Sequence, residues 1–323
     1  MVKQQLNIFP FFRLVRWQNL LMIVLTQYVM RYCIVSPMYV KNGLSLQINN
    51  LQFLLLVLST VFITAAGYVI NDYFDRKTDM LNHPDTVIVG KHIKRRLAMA
   101  LHIVFNIIGV LSGFYLAYIT GLSYLALIFI GVSGLLWFYS TTYKRQFLIG
   151  NIIVAFLTGM VPLLIILFEM PLLGKNYGHI PDAMGLDANT MIAWFAAFAS
   201  FAFILTLIRE IVKDTEDFEG DQAFGMQTLP IVAGIKWTKA ILMALIAVTI
   251  VGTAYIYVLH LKNIIAFAYL FIFLIIPLAI TFYLIFKASG KRDYHIISTI
   301  LKLIMLMGIL FAFVARYLIL NIY

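Results

Sequence analysis

The sequence predicts an all-α, polytopic membrane protein: nine transmembrane helices in one bundle, with the N-terminus in the cytoplasm. Three observations predict it. The chain of 323 residues is 63% hydrophobic and 12% charged, with a mean hydropathy of +0.94. Soluble domains are roughly half apolar and about a quarter charged. Apolar stretches of about 20 residues recur along its whole length, each long enough to cross a bilayer as a helix. The Lys and Arg residues between those stretches fall almost entirely on one set of alternate connections.

Taken in order, the expected spans are about 20–40, 51–71, 98–118, 120–140, 148–169, 190–212, 240–260, 264–286 and 297–321. Backbone groups in lipid must bond within their own segment. Long apolar runs such as "LQFLLLVLSTVFITAAGYVI" lack period-two alternation, so they favour helices over a barrel. Almost nothing joins the third and fourth spans, which predicts a tight helical hairpin. The N-terminal tail and the connections after spans two, four, six and eight hold 17 Lys or Arg. The opposite set holds only Lys41, Lys175 and Lys262. Cytoplasmic loops carry the excess of positive charge, hence the orientation. Residues 1–323 read as one domain without a long linker, and the N-terminus lacks a small-residue cleavage site.

The same composition excludes other classes. A net charge of +10 suggests nucleic acid in a soluble protein; here positive-inside loops account for it. The single cysteine, Cys33, rules out a disulfide framework and a Cys-based zinc site, and reads as a small apolar filler.

Chemistry concentrates where spans two and six end. "NDYFDRKTD" places Asp72, Asp75 and Asp79 in the pattern D-x-x-D-x-x-x-D, beside Asn71. "REIVKDTEDFEGD" repeats the pattern with Asp214, Asp217 and Asp221, and Glu210 lies one turn deeper. On a continuous helix such positions fall within an arc of about 60°. Loop parity puts both sets at one membrane face. If spans two and six are neighbours, six carboxylates converge. Two like charges at ~4 Å repel by about 4 kcal/mol at an effective dielectric of 20, so such a site needs cations. Hard oxygen ligands suit Mg2+ or Ca2+, and Mg2+ commonly completes its shell with substrate phosphates. The pattern therefore points to a phosphorylated substrate at a membrane surface. Lys77, Glu216 and Glu219 point away from these arcs and read as solvated, as do Glu169, Asp182 and Asp187 on the far side. Arg31, Lys302 and Arg316 lie inside spans, and His102 reads as a hydrogen-bonded helix-packing residue.

With these residues in view, the chain resembles the UbiA family of intramembrane prenyltransferases. "NDYFDRKTD" is similar to that family's NDxxDxxxD, and "DTEDFEGD" contains its second DxxxD as Asp217 and Asp221. "LNHPDTVIVGK", "YSTTYKRQFLIGN" and "GMQTLPIVAG" are fainter echoes, and the "RP…SG" wording of the first loop is altered here. The resemblance implies Mg2+-dependent transfer of a prenyl group from a polyprenyl diphosphate to a lipophilic acceptor. Mg2+ on both aspartate sets would stabilise the leaving diphosphate. Asn71, Lys91, Lys144 and Lys213 are the expected diphosphate-binding residues; each lysine also reads as a positive-inside charge. Tyr68, Asn19 and Glu210 are the expected lining of the substrate cavity, with Tyr68 equally readable as an interfacial aromatic. "REIVKDTEDFEGD…TLP" is similar to the branch that prenylates geranylgeranylglyceryl phosphate to build ether lipids; a quinone-ring precursor is the alternative acceptor. The expected setting is a prokaryotic cell membrane with the site on the cytoplasmic side, without an obligate protein partner. A rival from another class, a cation-coupled transporter, predicts carboxylates near the bilayer midplane and broken helices, whereas these acids sit at span ends. A CDP-alcohol phosphotransferase predicts one DxxDGxxAR run, but Asp75 is followed by Arg76.

Overall fold

The computed structural model describes residues 9–178 and 187–321. Among them are nine helices long and apolar enough to cross a membrane. They are α1 (Trp17–Lys41), α2 (Asn50–Asn82), α3 (Arg95–Thr120), α4 (Ser123–Thr141), α5 (Ile149–Tyr177), α6 (Ala188–Glu216), α7 (Leu229–Leu261), α8 (Ile264–Lys287) and α9 (Lys291–Asn321). Large apolar side chains on their outer faces, such as Leu111, Val251 and Ile264, are exposed, as a lipid solvent requires. The first tight connection is as expected: Gly121, in the left-handed region, caps α3 just before α4 begins.

Two bounds differ most from the sequence expectation, each by about eleven residues and for local reasons. α2 does not stop where its apolar run stops but continues to Asn82, carrying the whole of "NDYFDRKTD" on helix. α7 begins at Leu229 rather than near 240, because Thr228 is extended and Pro230 suits a first helical turn. Gly234, at φ 80, then kinks the helix open before it enters its apolar length.

The chain divides into two compact units. The first comprises residues 1–24 and 50–144. Within it α2 packs along α3 and against α4. Glycine makes the closest approach possible. A Cβ on Gly109 of α3 would lie 2.9 Å from the Ile63 backbone nitrogen and 3.1 Å from the Ser59 carbonyl of α2. A polar chain pins the same helices: His102 meets the Ala66 carbonyl at 3.0 Å, and Ser133 Oγ donates to Asn106 Oδ1 at 2.7 Å. Small residues and interhelical hydrogen bonds are what hold helices together where lipid offers no hydrophobic gradient. His102 is thus the packing residue it reads as. At the charged end of α2, Leu14 and Val15 join Ile88, Val89 and Ile93 around Val69. That small core fixes the N-terminal segment and the following loop beside the first aspartates.

The second unit comprises residues 25–49 and 145–323. Here α6 is the central helix, packed on α5, α7 and α9. Ile208, Ile211 and Val212 of α6 share one apolar core with Tyr294, Ile297 and Leu301 of α9. A buried polar group of this unit corrects the sequence reading. Glu169 is not solvated but fully buried, accepting from the Gln47 backbone N–H at 2.8 Å and the Ile48 N–H at 3.4 Å. Arg31, also buried, closes the same turn by donating to the Ile48 carbonyl at 2.7 Å. Arg316 donates to the Tyr32 carbonyl at 2.9 Å. Cys33 is buried as expected, Asp187 is the exposed N-cap of α6, and Asp182 lies outside the described residues.

Candidate active site

Each unit carries one aspartate set. In the first, the helix persists through all three residues, so Asp72, Asp75 and Asp79 do share a face of α2. Asp75 is buried, and Lys144 from the loop after α4 forms an ion pair with it. Burial opposes the charge on Lys144, but Asp75, Tyr139 and Asp79 more than offset that, and its pKa lies above the ordinary lysine value. Arg16 Nη2 donates to Asp72 Oδ1 at 3.0 Å. The same guanidinium stands 4.8 Å from the centre of the Tyr68 ring, and Asn19 Nδ2 donates to the Tyr68 hydroxyl at 3.3 Å. Asn19, Tyr68, Asp72, Asp75 and Lys144, all named from sequence, are thus brought to the charged end of α2.

Arg16 was counted in the sequence only as one of the tail charges. It reaches Asp72 because its backbone turns sharply, at φ 50, between the short helix Phe9–Leu14 and α1. That left-handed conformation costs a non-glycine residue about 1–2 kcal/mol. Such strain is retained where the surroundings hold the residue in place, often at sites of function. Composition gives no sign of it.

In the second unit the helix does not persist through the repeat. α6 ends at Glu216, Asp217 is its C-cap at φ −95 and ψ 10, and Asp221 lies on the separate short helix Phe218–Ala223. The shared-face argument therefore holds for the first trio and not for the second. A backbone bond still ties its last two members together, since Asp221 N donates to the Asp217 carbonyl at 3.0 Å. Asp214 accepts from Asn151 Nδ2 of α5 at 2.7 Å. Asn151 is buried at the start of its span, and a polar residue in a span's first turn is the one sequence signal it carries.

The remaining candidates divide. Glu210 accepts from Arg209 Nη1 at 3.0 Å and lies 3.6 Å from Lys213 Nζ, so both join one charged group on the last turns of α6. Lys91 is exposed and donates to the Pro84 carbonyl at 2.6 Å, within its own loop. Lys77 and Glu219 are exposed as expected. Glu216 is the second correction: it is buried, and accepts from His295 Nδ1 of α9 at 2.9 Å.

The donor set suits a hard divalent cation. Among the described residues, no three acidic, histidine or cysteine side chains close into a metal cage. Mg2+ is commonly held by one or two carboxylates while substrate phosphates complete its shell. Asn71 Oδ1 is buried beside Asp72 without a protein donor, an oxygen of the kind a ligand satisfies.

Three comparisons place this geometry among known proteins. The model of the UbiA prenyltransferase family matches residues 32–317. A digeranylgeranylglyceryl phosphate synthase from Methanothermobacter thermautotrophicus is 33% identical over 229 residues, covering 70% of this chain and 68% of that protein. A solved digeranylgeranylglyceryl phosphate synthase structure aligns with a TM-score of 0.61 at 25% identity, over 95% of this chain and 97% of that one. A UbiA homologue from Archaeoglobus fulgidus, bound to GPP and Mg2+, has the same fold, with a TM-score of 0.54 at 18% identity over 97% and 100% of the two chains.

Proposed function

Because the chain belongs to the UbiA prenyltransferase family, and so is a membrane prenyltransferase, we propose that it transfers a prenyl group from a polyprenyl diphosphate to geranylgeranylglyceryl phosphate, with Mg2+ bound at each of its aspartate sets. One observation carries the reading: Asp72, Asp75 and Asp79 share a face at the end of an apolar helix, with Arg16 and Lys144 already on two of them. A polar head and an apolar tail are thereby offered adjoining surfaces. The Methanothermobacter relative supports the choice of acceptor, and the Mg2+-bound homologue supports the choice of metal.

When bound, Mg2+ supplies the charge that lets the diphosphate leave as an anion. The chain's own residues do the rest. In the first unit Asp72, Asp75 and Asp79 would be the carboxylate donors, with Asn71 Oδ1 a neutral one, and in the second Asp214, Asp217 and Asp221. Lys144 remains charged and can exchange Asp75 for a diphosphate oxygen; Lys213 does the same from Glu210. Tyr68 offers its ring face to the allylic cation, as it now does to Arg16. Asn19 fixes that ring through its hydroxyl. Once the bond to diphosphate breaks, the acceptor hydroxyl oxygen forms the new C–O bond with the allylic cation, and its proton leaves with the diphosphate. Apolar helix walls keep water from capturing the cation first.

The excess of Lys and Arg on one set of loops supports a cytoplasmic N-terminus and a cytoplasmic site in a prokaryotic cell membrane. The whole chain acts as one prenyltransferase domain. The test is transfer from geranylgeranyl diphosphate in nanodiscs containing Mg2+, against acceptors including geranylgeranylglyceryl phosphate and a naphthoate. Metal-dependent ether product, abolished in Asp72→Ala and Asp217→Ala, is expected. Product from the ring acceptor alone would overturn the acceptor assignment.

A further inference from the structure

The Glu216–His295 pair lies outside the chemistry above. Glu216 is the last residue of α6, between Asp214 and Asp217. Its side chain is 7% exposed, whereas that of His295 is 69% exposed. A buried carboxylate needs a donor. His295 Nδ1–H supplies one at 2.9 Å from the first turns of α9. That end of α9 is itself fixed: Asp293 Oδ2 accepts from the Ser289 and Gly290 N–H groups at 2.8 and 3.1 Å. Tyr294, Ile297 and Leu301 bury the same turns against α6.

The pair thus ties down the point where α6 breaks and the chain turns into the helix bearing Asp221. Helix ends fray readily, and a fray here would move three carboxylates at once. We propose that His295 is a positioning residue for the second aspartate set, acting through Glu216 to hold Asp214, Asp217 and Asp221 in a metal-competent arrangement. The proposal rests on the reading that those aspartates bind Mg2+. It assigns a role to a side chain on a different helix that touches none of the aspartates named.

Mn2+ binding by electron paramagnetic resonance, on the full chain in nanodiscs with an unreactive prenyl diphosphate analogue, tests it without turnover. His295→Ala should weaken Mn2+ binding about 10-fold, the lower range for removing a group that orients a metal ligand. His295→Asn, which returns an N–H near the Nδ1 position, should restore most of it. Losing the donor of a buried carboxylate should lower the melting temperature of His295→Ala modestly, and His295→Asn should restore it together with Mn2+ binding. Asp217→Ala serves as the reference. If Asp217→Ala loses Mn2+ while His295→Ala binds it as wild type, the positioning role is refuted and the metal reading stands. If neither variant changes Mn2+ binding, the metal reading fails and takes this inference with it. A melting temperature that falls in step with Mn2+ affinity, unrescued by Asn, would make the contact merely structural and overturn the proposal.

Discussion

Lys144→Met gives the sharpest test of how the first aspartate set works. The substitution keeps the length of the stem and removes the charge paired with Asp75. Two limits bracket its cost. Breaking a fully buried pair costs about 3–5 kcal/mol, and an exposed pair is worth about 0.2–1. The Asp75 side chain is 7% exposed and that of Lys144 30%, so the pair lies between the limits, and solvent screens the lysine end. A charge-assisted hydrogen bond of about 1.5–3 kcal/mol is the appropriate figure. Lost from a diphosphate contact in the transition state, it lowers kcat/KM for the prenyl diphosphate about 10- to 150-fold. The metal should respond in the opposite sense, because removing a cation leaves the carboxylates more negative and half-saturating Mg2+ falls. Initial rates in nanodiscs, with diphosphate and Mg2+ varied independently, read both effects, and Lys144→Arg should recover part of the loss. The pH dependence follows from the raised pKa of Lys144. The pair is intact below the ordinary lysine value of 10.5 and is released only as pH climbs beyond the still higher folded value. The Lys144-dependent part of kcat/KM is therefore flat from about pH 6 to about 9. A Met variant within twofold of wild type, or a Lys144-dependent step in that pH range, would refute the reasoning.

Two stability predictions follow from the packing. Gly109→Ala forces a methyl against the α2 backbone and should destabilise the protein in detergent by about 1–3 kcal/mol, read by loss of helical circular dichroism on denaturant titration. Gly131→Ala, which meets nothing within 4 Å, is the silent control. Glu169→Gln replaces one accepting oxygen with a donor and leaves a backbone N–H of the 47–48 turn unmatched, costing about 1–3 kcal/mol by the same titration, with turnover per folded molecule unchanged.

The spans were legible because bilayer thickness sets helix length, which does not depend on which helices touch. The first aspartate face was legible because α2 runs straight through "NDYFDRKTD". The second was legible only as composition. Its spacing repeats the first, but the helix breaks at Asp217, where contacts from distant segments rather than local propensity set the end. Glu169 and Glu216 show the same limit. Both read as solvated because they fall near span ends, and both are buried by donors remote in sequence, from the 47–48 turn and from His295. Arg16 was hidden for a third reason. A left-handed turn at an arginine has no residue signature, since glycine or asparagine is what usually marks one.

The contact of Gly109 with the α2 backbone also bears on where an isoprenoid can travel. Between α2 and α3 at that level there is no room even for a methyl group. Were the diphosphate held at the end of α2, as proposed, its polyprenyl chain would find this point of the seam closed. In the first unit, then, the seam is a closed wall rather than a ruler. Enlarging the residue at position 109 would therefore unsettle the fold rather than open or close a path there.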